Sequence, residues 1–231
     1  MSKSKTTASY EIVYNTLRKR ILHLELPPGS IVSEIETAKE FSVSRTPVRD
    51  AFKALVNEGL LEVKPHVGTF VTLIDMNEIS DILYIRETME KAIINELAVY
   101  FGQWQEFKLQ HILNHQKQLL EDSLLSAQDF AMKFAKSDND FHNTLFALAG
   151  KERLLTYFYA INSQYQRFRT FLNFEDKTSA EKLYNEHQQL LVYIKNKDVE
   201  KLNSLLTHHI YDGFNSKINL IYEYPNYFKP L

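Results

Sequence analysis

Apolar side chains recur at Val13, Tyr14, Leu17, Ile21 and Leu22, following Tyr10, which is the spacing of a helix with one buried face. Leu26-Pro27-Pro28-Gly29 stops that helix, because two successive prolines cannot continue a helical turn. Ile31 and Val32 predict a very short strand. Ser33 with Glu36 three residues on reads as a capping box, and a short helix then runs to about Phe41. A third helix starts near Ser44 and runs to Glu58, with Gly59 as its stop signal. Pro47 is tolerated there because it falls in the first turn. Residues 60–64 and 69–72 are short β-prone runs joined by the loop Pro65-His66-Val67-Gly68. Helix, short helix, helix and hairpin, in that order, predict a winged helix-turn-helix over residues 10–75. Residues 1–9 are polar and lack the apolar stretch of a signal peptide, so they are expected to be a disordered lead-in.

The pattern changes after residue 75. Residues 66–224 contain no proline and few glycines, which suits long helices. Helical periodicity runs through about 77–101, 104–124, 127–149, 151–173, 178–195 and 198–222. Gly102 and Gly150 mark two ends, and Ser126 with Asp129 and Thr178 with Glu181 read as capping boxes at two starts. Six helices with short connections predict an antiparallel bundle. The fold class is therefore mainly α: an N-terminal winged helix-turn-helix and a C-terminal antiparallel six-helix bundle, with a boundary near residues 72–77. A bundle of this kind can bury a ligand between its helices.

Composition narrows the chemistry. The chain has 231 residues and no cysteine, which excludes a disulfide scaffold, a cysteine-ligated zinc finger and a cysteine nucleophile. This fits a reducing cytoplasm. No apolar run approaches the roughly 18 residues of a transmembrane helix, so no membrane partner is expected. Charge is nearly balanced: residues 1–76 hold 10 Lys and Arg against 9 Asp and Glu, and residues 77–231 hold 17 against 20. Bulk charge therefore does not point to nucleic acid. A local feature does. Arg45, Arg49 and Lys53 lie at i, i+4 and i+8 on the third helix, so they line one face. Arginine can fork onto guanine and lysine can meet phosphate in a major groove. The stripe alone equally describes a solvated helix face.

Family resemblance separates those readings. Leu26-Pro27-Pro28-Gly29, Val43-Ser44-Arg45-Thr46-Pro47-Val48-Arg49-Asp50-Ala51, Asn57-Glu58-Gly59-Leu60-Leu61 and Gly68-Thr69-Phe70-Val71 resemble the DNA-binding domain of GntR-family transcriptional regulators. The resemblance implies operator contacts by Arg45 and Arg49, and a wing tip at Gly68 that approaches the minor groove. The expected DNA-binding set is Arg45, Thr46, Arg49, Lys53, His66 and Gly68. Ser42 departs from the family, which usually has glycine in this turn. That position needs a permissive backbone.

In the helical half, Asp138 and His142 lie at i, i+4, while His187 and His209 fall on the fifth and sixth helices. One carboxylate and three imidazoles suit zinc, nickel, manganese or iron with positions left for water or a ligand. Histidines on helices are also ordinary core or surface side chains, and the spacing does not choose. His111 and His115 form a second i, i+4 pair, but Gln118 and Asp122 continue their stripe, so they are expected to face solvent. His208 points about 100° away from His209 around the helix and is a weaker ligand.

Tyr84-Ile85-Arg86-Glu87-Thr88-Met89-Glu90, Asp138-Asn139-Asp140-Phe141-His142, Glu186-His187 and His209-Ile210 are similar to the FCD effector domain of the FadR-like branch of GntR regulators. The six-helix length resembles its VanR-like subgroup. Gly150-Lys151-Glu152 departs from the Gly-Asn often found there. The resemblance implies one divalent metal per protomer on Asp138, His142, His187 and His209. It further implies that residues 76–231 form an effector and dimerisation domain that binds a small organic acid. Arg86 is the candidate second anchor for that acid's carboxylate; alternatively it pairs with Glu90 at i, i+4. Arg167, Arg169 and Tyr184 are further candidates without a motif.

The leading expectation is a ligand-responsive transcription regulator, a cytoplasmic homodimer on a palindromic DNA operator, and not an enzyme. Two alternatives stand beside it. One is a metal-dependent, hydrolase-like enzyme, against which stands the absence of any H-E-x-x-H, G-x-S-x-G or P-loop motif. The other is a DNA-binding protein whose metal is purely structural.

Overall fold

The computed structural model describes residues 2–172, 177–216 and 219–230. The chain divides into two compact units. The first comprises Met1–Ile79, Ala160–Phe171 and Asn219–Leu231; the second comprises Ser80–Tyr159 and Leu172–Ile218.

The first unit opens with α1 (Ser2–Leu22), β1 (Ile31–Val32), α2 (Glu34–Glu40), α3 (Arg45–Asn57), β2 (Leu61–Lys64) and β3 (Gly68–Val71). The three strands form one antiparallel sheet in the order β1-β3-β2, with Leu61 opposite Val71 and Val32 opposite Thr69. Helix α1 buries Val13, Leu17 and Ile21 against Val48, Ala51, Phe52 and Leu55 of α3, with Leu60, Leu61 and Val71 joining the same core. At roughly 1.5–3 kcal/mol per buried large apolar side chain, this cluster fixes the angle at which α3 is presented. The outer positions of α3 stay polar, so the helix is held by one face and offers the other.

Local chemistry sets the ends. Ser33 accepts the N–H of Glu36 at the start of α2. Ser42 adopts φ 53, the left-handed conformation that the turn before α3 demands, where glycine would be at no disadvantage. Gly59 closes α3 at φ 70, with the N–H of Leu60 reaching the carbonyl of Leu55. Helix α1 is continuous from Ser2, which replaces the expected lead-in. No proline or glycine interrupts residues 2–22, so nothing breaks the backbone ladder there.

The helical part continues with α4 (Met76–Tyr100), α5 (Gln103–Glu121), α6 (Ala127–Leu148), α7 (Glu152–Ile161), α8 (Ser163–Leu172), α9 (Lys177–Asn196), α10 (Val199–Ser216) and α11 (Leu220–Glu223), followed by a 3-10 turn at Pro225–Tyr227. In the second unit α5 packs against α6 and α9, and α9 against α10. Ile93, Ile94 and Leu97 of α4, Leu109 and Leu113 of α5, Phe141 and Leu145 of α6, and Leu202 and Leu206 of α10 are buried.

Three helix expectations need correction. The helix expected at 151–173 is two helices, because buried Asn162 ends α7 and its carbonyl accepts the Gln166 N–H at 2.9 Å, opening α8. The last long helix ends at Ser216, and Asn219 lies in a turn before α11. Thr178 lies inside α9 rather than before it. Asn173 and residues 217–218 of the expected helices lie outside the described residues. Helix α8 as far as Phe171, and the segment from Asn219 onward, fall in the first unit.

Candidate metal centre and nucleic-acid interface

In the second unit, the i, i+4 spacing on α6 puts Asp138 and His142 on one face, α9 supplies His187 and α10 supplies His209. All four are buried, and one ligand atom from each lies within 4.8 Å of the others. His209 Nε2 is 3.1 Å from His142 Nε2 and 3.3 Å from His187 Nε2. Asp138 Oδ1 is 3.5 Å from His187 Nε2 and 4.0 Å from His142 Nε2.

The opposite nitrogens explain this convergence. His142 Nδ1 donates to Glu90 Oε2 at 2.7 Å, His209 Nδ1 to Glu186 Oε2 at 2.7 Å, and His187 Nδ1 to Gln116 Oε1 at 3.1 Å. Carboxylate and carbonyl oxygens only accept, so each Nδ1 carries a proton and each ring turns its Nε2, the nitrogen that a neutral imidazole leaves bare, inward. Burial pushes the His142 and His187 pKa values down, His187 well below the ordinary value. Three inward nitrogens and a carboxylate oxygen at these separations repel unless a proton or a cation lies among them. The donor set fits a divalent metal with orienting partners on every imidazole.

Charge around the centre differs from what the four ligands alone imply. Glu90 and Glu186 add two carboxylates to Asp138, and Arg86 adds one guanidinium. One divalent cation would bring this set to neutrality, not to the net positive charge that three imidazoles and one carboxylate suggest. Arg86 is buried and donates to Glu90 Oε1 at 2.6 Å. Burial alone would raise the Glu90 carboxyl, but Arg86 and His142 outweigh it and hold it below the usual carboxylate range. The intrahelical pairing of Arg86 is therefore present in the fold.

His111 and His115 are exposed, as the stripe on α5 requires, and His208 is exposed beside buried His209. Tyr184 is half-buried and accepts from Gln188, Arg169 lies over the Tyr165 ring, and Arg167 is engaged within the first unit. Gln116 was missed in the sequence. Its signal was a polar side chain at the next position of the buried stripe Leu109, Leu113. Glu186 was visible beside His187, yet it serves His209.

In the first unit, Arg45, Thr46, Arg49 and Lys53 of α3 are exposed, as is His66 between the wing strands, with Gly68 partly buried. His66 takes φ 62 and Gly68 φ 151, which bends the chain sharply between β2 and β3. One acid escaped the sequence reading. Glu34 Oε2 lies 3.6 Å from Arg45 Nη2 and 3.8 Å from Arg49 Nε, so one carboxylate oxygen faces both guanidinium groups. Its place at the first turn of α2, one residue after the Ser33 cap, was the available clue.

The sequence profile of the bacterial regulatory proteins of the gntR family matches residues 9–71, and that of the FCD domain matches residues 81–212. This chain belongs to the GntR family and carries an FCD domain. It is 27% identical to the HTH-type transcriptional repressor RspR of Escherichia coli K12, over 86% of this chain and 84% of that protein. It is 25% identical to the Nta operon transcriptional regulator of Aminobacter aminovorans, over 84% and 87%. A GntR transcriptional regulator of Rhodococcus sp. RHA1 shares the fold with TM-score 0.70 at 19% identity, over 93% of this chain and 98% of that one. The GntR/FCD chain is thus a sequence-specific transcription regulator and not an enzyme, built on a domain type that binds small-molecule effectors. No helix among the described residues is long and apolar enough to cross a membrane.

Proposed function

We propose that this GntR/FCD regulator binds a palindromic operator as a cytoplasmic homodimer and that a small organic acid, held beside one divalent metal per protomer, changes operator affinity. The observation that carries this reading is the convergence of three Nε2 atoms and the Asp138 carboxylate, each imidazole fixed by an outer acceptor. Asp138, His142, His187 and His209 would hold zinc, nickel, manganese or iron. When bound, such a metal supplies positive charge and a coordination position that a carboxylate can complete. The wing and α3 supply the operator contacts through Arg45, Thr46, Arg49, Lys53, His66 and Gly68. A single recognition helix reads few base pairs, and two-fold symmetry is the usual way to lengthen the site. Exposed Leu154 and Tyr157 on α7 offer apolar area for the second copy.

Arg86 enters the reading in an altered role. Because it pairs with Glu90, and Glu90 with His142, an acid that draws on Arg86 competes with the partner that orients a metal ligand. Effector binding would then act on the centre as well as on the pocket.

The test is elemental analysis of the purified protein and of His187→Ala/His209→Ala, followed by titration of organic acids against operator affinity. About one metal per wild-type chain and none in the double variant supports the reading. Equal metal in both overturns the ligand assignment. A coupling of about 1–3 kcal/mol, roughly 5- to 150-fold in operator affinity, is expected from the effector. Acids that bind without moving operator affinity favour a purely structural metal.

A further inference from the structure

Glu34 is the first residue of α2, directly after the Ser33 cap. Its place is set by the core beneath it. Ala38 of α2 lies in the same buried cluster as Val48 and Ala51 of α3, and the Val43 N–H donates to the Ala38 carbonyl at 3.0 Å in the turn between the two helices. The start of α2 is thereby held beside the first turns of α3. Glu34 Oε2 reaches Arg45 Nη2 at 3.6 Å and Arg49 Nε at 3.8 Å. The other acids of α2 are engaged elsewhere: Glu36 meets Lys39 at 3.2 Å and Glu40 meets Arg20 at 2.8 Å. Among the described residues, no other carboxylate lies within 4.0 Å of either arginine.

Both contacts are longer than a hydrogen bond, so the carboxylate acts on the two guanidinium groups by charge. On Arg49 it faces Nε, which leaves both Nη groups for a fork onto guanine O6 and N7. The same arginines can also turn to phosphates, which every DNA sequence offers and which carry no sequence information. There the carboxylate makes a difference. A phosphate is an anion and is repelled by the Glu34 charge as it approaches the pair. The edge of a guanine is neutral overall, and it can accept the fork with the carboxylate still in place.

We propose that Glu34 is a positioning residue that determines DNA specificity: acting through Arg45 and Arg49, its carboxylate penalises their contacts with phosphate and spares their contacts with guanine. This rests on the reading that Arg45 and Arg49 contact the operator. An acid in the first turn of α2 also suits the helix dipole. Loss of that contribution moves stability, whereas loss of the proposed role moves the preference for one DNA over another.

The experiment titrates full-length protein against an operator selected from random duplexes and against a scrambled duplex of the same length and composition, over a range of salt. Glu34→Gln keeps the size of the side chain and loses its charge. It should bind the scrambled duplex at least about fivefold more tightly than wild type, with operator affinity within about twofold. On the scrambled duplex its log affinity should also fall more steeply with log salt, by about one in slope. Glu34→Asp keeps the charge and should stay within about twofold of wild type on both duplexes. Operator preference in Glu34→Gln equal to that of wild type overturns the proposal. So does a Glu34→Asp that behaves as Glu34→Gln, because side-chain length rather than charge would then be the cause. A Glu34→Gln that loses about tenfold on the operator with scrambled binding unchanged also overturns it, because Glu34 would then read a base itself. Arg45→Ala/Arg49→Ala tests the reading beneath. Full-strength operator binding by that variant refutes the recognition-helix assignment and the role of Glu34 with it. Weakened binding there, with undiminished preference in Glu34→Gln, refutes the role of Glu34 alone.

Discussion

The recognition helix and the histidine centre both place charged or imidazole side chains at helical spacing, but the partners of those side chains lie in different places. Arg45 and Arg49 are 58% and 56% exposed, and their nearest acid, Glu34, sits at 3.6 and 3.8 Å. Surface pairs of this kind contribute about 0–1 kcal/mol, so they are readily exchanged for phosphate or base contacts. Around the centre, Glu90, Gln116 and Glu186 are buried and each engages a histidine at 2.7–3.1 Å. One surface is left ready for an outside partner. The other has had its orientation fixed from within, and only the inward nitrogens remain to be met.

The sharpest way to break that comparison is to remove the exposed cations. Arg45→Ala with Arg49→Ala should cost about 2–6 kcal/mol of operator affinity at matched salt, if each arginine makes a bidentate base contact. The melting temperature should stay close to wild type, because the lost pairs are solvent-exposed. Binding titrations and thermal melts on the same preparations check both halves. Full-strength operator binding by the double variant would sink the recognition-helix assignment.

Next in size is the buried counterpart. Arg86→Ala leaves Glu90 without its cation in a water-excluded setting, and breaking a buried pair typically costs 3–5 kcal/mol, roughly, of folding stability. Chemical denaturation of metal-free protein measures it directly. A loss below about 1 kcal/mol would mean that Arg86 behaves like the exposed arginines of α3, and the contrast between the two regions would collapse.

These differences also decide what could be seen without the fold. The path from Leu26 to Val71 was legible because a winged helix-turn-helix is local: each cap, turn and stripe is written within a few residues of the next. Ser42 could be marked as a strained turn because its neighbours fixed the turn's position. Asp138, His142, His187 and His209 were legible as residue types in register, but spacing could not bring three helices together. The outer acceptors were harder still. Gln116 looked like a break in an apolar stripe, and Glu186 stood next to one histidine while serving another. Arg167 was weighed for its charge as an effector ligand, whereas its partners lie 95 residues away at Thr72. The split of the fourth expected helix turned on Asn162, a capping residue that also occurs inside helices, so periodicity ran through it.

The smallest effect tests a partly buried tie between α1 and the end of α3. Glu58, at the end of α3, accepts from the Tyr14 hydroxyl and from Arg18 Nε at 2.8 Å, both on α1. Burial and then the Glu58 carboxylate push the Tyr14 pKa from 10.0 up to about 12. Folded protein therefore keeps this proton over an interval in which the unfolded chain releases it. The corresponding stability is fully present below pH 10 or so and is lost as pH rises toward about 12. A two-unit shift would correspond to nearly 3 kcal/mol, but Tyr14 and Glu58 are only partly buried, and screening by solvent reduces the expectation to about 1 kcal/mol or less. Stability curves on either side of this interval, compared between wild type and Tyr14→Phe, isolate the contribution from the other tyrosines. Wild type should lose more stability than the variant as the solution becomes alkaline. Parallel curves would mean that Glu58 holds α3 through Arg18 alone.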